Sequence, residues 1–147
     1  MNTCTCYTLR KLSRTVTRIY DAHLAQAGLR TTQYSLLRTI AHQPTPMADL
    51  AQKLATERTT LTRNLKPLID AGWVRLDAGD DARQRIASIT HAGRGAIAAA
   101  KAAWRRAQNA VEQTIGLRDL EALHRHADSA LQKLTPLVER IPYAYAA

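Results

Sequence analysis

The chain has 147 residues, 46% of them hydrophobic and 22% charged, which is typical of one globular domain. Its formal net charge of +9 favours a polyanionic partner, either nucleic acid or an anionic membrane surface. No apolar run approaches the roughly 18 residues of a membrane span, the N-terminus lacks an apolar signal core, and two cysteines make no disulfide framework. We therefore expect a cytoplasmic protein with reduced thiols. The placement of cations within residues 58–66 and 75–85 favours nucleic acid over a membrane partner.

Helical periodicity appears first over residues 7–27 and again over residues 32–42. A third helix is predicted over residues 47–54, with Thr45 as its cap and Pro46 in its first turn. It leads after a short gap into another apolar-periodic segment, and such a gap is what a helix-turn-helix needs.

The helix after that gap is the predicted DNA-reading helix. Leu61, Leu65 and Leu68 recur at i, i+4 and i+7 and should be buried, with Thr56 as the N-cap and Pro67 as a potential kink. Its outer face carries hydroxyls and cations, which suit a major groove and its phosphates, and an ordinary solvated helix is the alternative. The predicted DNA contacts of this helix are Arg58, Thr59, Thr60, Thr62, Arg63, Asn64 and Lys66.

A β-wing is predicted next, with strands at residues 73–76 and 86–90 around a turn-forming tip at residues 77–85. Arginines at such a tip can enter a narrow minor groove. Asp81 is predicted to orient the wing by pairing with the Arg83 guanidinium. The predicted DNA contacts of the wing are Arg75, Arg83, Gln84 and Arg85.

Two long helices complete the chain, one over residues 91–115 with Thr90 as its cap and one over residues 117–134 that Pro136 ends or bends. Their apolar faces, and that of the first helix, exceed what a small DNA-reading lobe can cover. We expect a mainly α fold with a small β-wing, in a single domain over residues 1–147. Its winged helix-turn-helix lobe spans residues 29–93, and its dimerisation helices span residues 7–28 and 94–141.

Asp81 and Arg83, followed by Ile89, Thr90 and Gly93, resemble the DxR and LTxxG signature of the MarR family of winged helix-turn-helix transcriptional regulators. The resemblance covers residues 9–135. It departs from the family pattern at Leu76, where many members have a basic residue, and at Pro67. The resemblance implies a homodimer that binds an inverted repeat in double-stranded DNA.

The resemblance also implies a site for a small, often aromatic effector between the dimerisation helices and the reading lobe. The candidate lining residues combine aromatic surface with polar tips, and core packing is the alternative for each. They are Tyr20, His23, Tyr34, Arg38 and Trp104.

Cys4 and Cys6 are candidate redox residues, because some family members sense oxidants through a cysteine near the first helix. The two sulfurs could also bind a soft metal such as Cu(I). The alternative is a mobile tail, residues 1–6, whose thiols have no role.

The preferred function is a dimeric repressor that a small aromatic ligand or thiol oxidation releases from an inverted-repeat operator. The alternative is a non-specific architectural DNA-binding protein, which the charge alone would support. An enzyme is disfavoured because no HExxH, GxSxG or glycine-rich phosphate loop occurs, and no metal site or cofactor is expected.

Overall fold

The computed structural model describes residues 4–81 and 83–141. The chain divides into two compact units, the first ending at Gln108 and the second beginning at Asn109. None of the helices in the described ranges combines the length and the apolar character needed to cross a bilayer.

Helix α1 spans Thr5–Leu24 and continues into a 3-10 turn, Ala25–Ala27. The prediction began α1 two residues too late and therefore placed Cys6 in a tail. Gly28 ends this segment with φ 69°, a left-handed conformation that glycine adopts without steric cost.

Helix α2 spans Thr31–His42, and a residue of α1 bonds to its first residue. The Asp21 carboxylate accepts hydrogen bonds from the backbone amide and the hydroxyl of Thr31, each at 2.7 Å. A carboxylate at a helix N-terminus satisfies an otherwise unpaired amide and interacts favourably with the helix dipole. Asp21 therefore fixes the start of α2 against α1.

The predicted helix-turn-helix is present as α3, Met47–Lys53, and α4, Arg58–Asp70. Ala55 makes the turn with φ 46°. The prediction of Thr56 as the N-cap is wrong, because the cap is Glu57 and it makes no side-chain cap bond. The Thr56 amide instead bonds to the carbonyl of Ala51 at 3.0 Å and closes α3.

Strand β2 is one residue longer than predicted, β3 has the predicted length but begins one residue earlier, and a third strand joins them. Strands β2, Val74–Ala78, and β3, Arg85–Ile89, pair antiparallel, and β1, Thr45–Pro46, adds to β3, giving the order β1-β3-β2. Thr45 is therefore not the α3 cap. Pro46 precedes α3 instead of lying in its first turn, because pairing with β3 keeps both residues extended.

The core of the first unit is aliphatic, as expected for a chain without phenylalanine. The three predicted inward leucines of α4, namely Leu61, Leu65 and Leu68, are all at most 1% exposed. They pack in one cluster with residues of α2, α3, the sheet and α5. This packing turns the opposite face of α4 toward solvent.

Helix α5 spans His91–Ile115, and Thr90 caps it as predicted. The Thr90 hydroxyl accepts the Gly93 amide hydrogen bond at 3.1 Å and lies 2.7 Å from the Gly72 carbonyl oxygen, to which it donates. One side chain thus ties the start of α5 to the end of α4.

In the second unit, Gly116, with φ 89°, separates the end of α5 from α6, Leu117–Glu139. The prediction that α6 ends near residue 134 is wrong, because the helix continues through Pro136. A proline removes one helical bond, and in this exposed segment water can hydrate the freed carbonyl. Several large apolar side chains of α6 remain exposed, namely Leu117, Leu131, Leu134, Leu137 and Val138.

Candidate nucleic-acid interface

The outer face of α4 presents most of the residues predicted to contact DNA. Five of the seven are exposed, and Thr60 and Asn64 are half-buried. No acidic residue lies in the first turn of α4, and no side chain caps its amides. Those amides and the nearby cations can therefore face a phosphate group.

Internal contacts distinguish the cations on this face. Lys66 pairs with Asp70 at 2.8 Å. Within the described ranges, Arg58 and Arg63 have no ion pair. The Thr62 hydroxyl donates to the Arg58 carbonyl at 2.9 Å, which leaves both lone pairs of the hydroxyl oxygen free to accept a hydrogen bond. Arg58 and Arg63 are therefore the α4 cations whose charge no ion pair with another described residue offsets.

Asp81 organises the wing tip through the backbone. Its carboxylate accepts the Arg83 backbone amide at 3.0 Å, and its carbonyl accepts the Gln84 amide at 2.8 Å. The expected pairing with the Arg83 guanidinium is not among the ion pairs of the described residues. Arg75 pairs with Asp77 at 2.8 Å instead of standing free on β2. The Arg83 side chain is thus left for an external partner.

The fold brings the wing tip and the reading helix to one groove of about 320 Å³. Arg58 lines it from α4, and Arg83 and Arg85 line it from the wing. The remaining lining residues include Asp49, which the sequence reasoning did not select, because α3 and the wing are far apart in the chain. Three guanidinium groups on two elements form a surface suited to a polyphosphate backbone.

The predicted effector residues separate into distinct environments within the first unit. The Tyr34 and Trp104 rings stack with centroids 6.3 Å apart and an interplanar angle of 28°. Tyr34 is only 2% exposed, yet its hydroxyl has no hydrogen-bond partner among the described residues. An unpartnered buried hydroxyl is costly and is often satisfied by a ligand or by water.

The other three predicted effector residues have different neighbours. The Tyr20 hydroxyl donates to Gln108, a partner 88 residues away that no local pattern indicates. The His23 ring nitrogen Nδ1 lies 2.8 Å from the Ile19 carbonyl. Arg38 is exposed and lines a separate groove with His42 and Lys53.

Both predicted redox residues are exposed free thiols at the start of α1. Cys4 is the N-cap residue, and Cys6 lies in the first turn. The Cys4 carbonyl accepts bonds from the amide and the hydroxyl of Thr8 at 3.1 and 3.3 Å. The two thiols therefore belong to a structured helix start.

Known proteins are similar to this chain in sequence and in fold. The profile described as MarR family matches residues 27–84. The M. tuberculosis transcriptional regulator MosR, solved in complex with DNA, is 38% identical, with coverage of 87% of this chain and 98% of that one and a TM-score of 0.72. Apo MarR from E. coli is 16% identical with a TM-score of 0.71, covers 89% and 99% of the two chains, and shows likeness of fold.

A third relative is the uncharacterized HTH-type transcriptional regulator YwoH of Bacillus subtilis. It is 29% identical over 85 residues, which are 56% of this chain and 61% of YwoH, so the match spans about three fifths of that protein's length. These relatives are transcriptional regulators and not enzymes. The chain belongs to the MarR family of DNA-binding transcriptional regulators.

Proposed function

We propose that this protein is a homodimeric, sequence-specific regulator that binds an inverted repeat in double-stranded DNA, most simply as a repressor acting in the cytoplasm. The observation that carries the proposal is the convergence of Arg58 with Arg83 and Arg85 beside the exposed face of α4. The 38% identity to MosR, a regulator solved in complex with DNA, supports it further.

In this proposal, α4 reads base edges in the major groove. Thr62 and Arg63 contact bases, because both are exposed on the outer face and offer a methyl group, a hydroxyl and a guanidinium. Arg58 and the wing arginines contact phosphates or the neighbouring minor groove. The other predicted DNA contacts, on α4 and in the wing, hold the lobe in position on the duplex.

The domain assignment forms part of the proposal, with residues 29–93 as the reading lobe and residues 7–28 and 94–141 as dimerisation helices. Its support is the exposed apolar surface that each compact unit carries. Tyr7 and Leu9 of α1 are 66% and 54% exposed. Leu134 and Leu137 of α6 are 49% and 55% exposed. Several large apolar side chains exposed on one unit mark an interaction site, and a two-fold partner would bury them.

A dimer would present two reading helices about 34 Å apart, which matches successive major grooves of an inverted repeat. Each half-site contact would raise the effective concentration of the other lobe at the DNA. An effector that changes the spacing of the lobes would therefore release the operator.

We place the aromatic effector beside Tyr34 and Trp104, where the buried unpartnered hydroxyl could bond to a polar group of the ligand. Oxidation of Cys4 and Cys6 is the second proposed release signal. A bridge between them would disrupt the first turn of α1, because the Cys4 carbonyl bonds belong to that turn. A bond to a partner subunit or to a small thiol would leave the turn intact.

Selection from fragmented genomic DNA at physiological salt, followed by footprinting, tests the proposal. A protected inverted repeat with two equivalent half-sites is the expected result. Enrichment of no sequence, together with a steep salt dependence, would instead support the architectural DNA-binding protein. Footprints repeated with a reductant and an oxidant, on wild type and Cys4→Ser/Cys6→Ser, test the redox signal.

A further inference from the structure

A second groove, of about 370 Å³, lies at the ends of α2 and α3, away from the residues assigned to DNA or to the aromatic effector, except Arg38. Its lining consists of Arg38, Thr39, His42, Gln43 and Lys53. No carboxylate is among these residues. The volume is in the range of small-molecule sites, roughly 300–1,000 Å³.

Three groups that can donate hydrogen bonds to an anion converge here from two helices. Arg38 and His42 lie one turn apart on α2, and Lys53 is the last residue of α3. Within residues 4–81 and 83–141, none of the three has an ion pair or a side-chain hydrogen bond. Bringing like charges together in a concavity raises the local positive potential and concentrates anions there.

Helix-end electrostatics do not account for the whole cluster. Arg94 already donates to the Ala41 carbonyl at 3.2 Å, so the end of α2 has a cation bonded to it. Arg38 lies one turn before the end of α2 and lines the groove together with Lys53 of a different helix. A guanidinium and an ammonium that line one groove can bind a tetrahedral oxyanion together, the first by paired hydrogen bonds and the second as a point charge.

We propose that this groove binds a small phosphate-bearing anion, with Arg38 and Lys53 as its charged ligands and His42 and Thr39 as hydrogen-bonding neighbours. The ligand bridges α2 and the end of α3, two residues before the Ala55 turn that leads into α4. A phosphate group could reach the groove on a free small molecule or on the DNA backbone, and we assign the groove to the free molecule.

Titration calorimetry with inorganic pyrophosphate at 150 mM NaCl, without DNA, tests the site. We expect saturable binding at one site. Arg38→Gln and Lys53→Gln should each weaken this binding by about tenfold or more, because each removes one charge-assisted hydrogen bond. Arg94→Gln is the matched control, since it removes a cation near the same helix end but outside the lining, and it should change the affinity by less than about twofold. The melting temperature of each variant verifies that it is folded.

Non-saturable binding by wild type, or equal losses in Arg94→Gln and the groove variants, would overturn the proposal in favour of general charge screening. Salt-dependent binding of a DNA duplex separates the two phosphate sources. Unchanged salt slopes in Arg38→Gln and Lys53→Gln support the free anion. A slope lower by about one in each variant, with no pyrophosphate binding, would place a DNA phosphate in the groove instead. Because calorimetry needs no operator, its failure would leave the proposed operator binding untouched.

Discussion

Gly93 lies directly against the backbone of Trp73, so that a Cβ on Gly93 would stand 2.2 Å from the Trp73 carbonyl oxygen. The first turn of α5 can approach the start of the wing this closely only because the side chain is absent. Thr90 reinforces the same junction by bonding to the Gly72 carbonyl and the Gly93 amide. The LTxxG motif is therefore a packing motif that joins the reading lobe to α5.

Gly93→Ala should lower the free energy of unfolding by about 2 kcal/mol or more, because the added methyl group meets backbone that cannot move aside cheaply. Gly95→Ala is the matched control in the same helix, where a Cβ would meet nothing within 4 Å. It should raise stability by about 0.5–1 kcal/mol through helix propensity. Urea denaturation of both variants measures the difference, and equal effects would contradict this account of the junction.

Ala55→Gly should leave the protein as stable or raise its stability by up to about 1 kcal/mol, since Ala55 holds a left-handed φ of 46° that costs an L-residue energy. Ala51→Gly, within α3, should lower stability by about 0.5–1 kcal/mol. Thermal unfolding compares the two variants. If Ala55→Gly lowers stability as much as Ala51→Gly does, the turn at residue 55 carries no strain.

Asp21→Ala should lower stability by about 1–2 kcal/mol, because it leaves the Thr31 amide and hydroxyl without their 2.7 Å acceptor. Asp128→Ala, at an exposed position on α6, provides the control and should have little effect. Hydrogen exchange adds a local measurement. Protection should fall at the first turn of α2 before it falls elsewhere, and a uniform fall would argue against a capping role.

Asp81→Ala tests the wing tip through the sign of its effect on DNA affinity. Removal of a negative charge near DNA should by itself strengthen binding, as we expect for the neighbouring Asp80→Ala. If Asp81 orders the tip by accepting the Arg83 amide, its removal should weaken binding several-fold despite the charge gain. A fluorescence anisotropy titration at fixed salt distinguishes the two, and a gain of affinity in both variants would reject the positioning role.

Arg58→Gln and Arg83→Gln should each reduce the salt slope of DNA binding by about one, as expected for one lost phosphate contact. Because both side chains line one groove, the salt slope of the double variant should fall by less than the sum of the two single reductions. Lys66→Gln should change the slope less, since Lys66 is already paired with Asp70. Strict additivity of Arg58→Gln and Arg83→Gln would indicate two separate contacts.

Thr62→Ala and Arg63→Ala should reduce affinity for the selected operator by more than affinity for unrelated DNA, since they are proposed to contact bases and not phosphates. Gel-shift titrations on both duplexes at one salt concentration measure the ratio. Equal losses of affinity for the two duplexes would show that these residues do not contact bases specifically.

Local order in this protein could be predicted from the sequence. The α4 stripe of Leu61, Leu65 and Leu68 is buried as its spacing indicates, and Thr90 caps α5. Both depend on residues three or four apart, whose relative positions the helix geometry determines. The wing strands could likewise be predicted, because turn residues and β-branched residues act over short segments. The family resemblance could also be recognised from the short segment of residues 81–93.

Only the tertiary structure decided which distant groups meet. Thr45 joins the sheet instead of capping α3, because its partner Ala87 lies in β3, a strand that the local sequence pattern around Thr45 cannot contain. Arg58 and Arg83 line one groove although they lie on the reading helix and the wing. Arg38 lines a different groove with Lys53, apart from the stacked Tyr34–Trp104 pair. A sequence determines periodic faces and caps through local geometry, whereas packing free energy selects among many long-range arrangements of those faces.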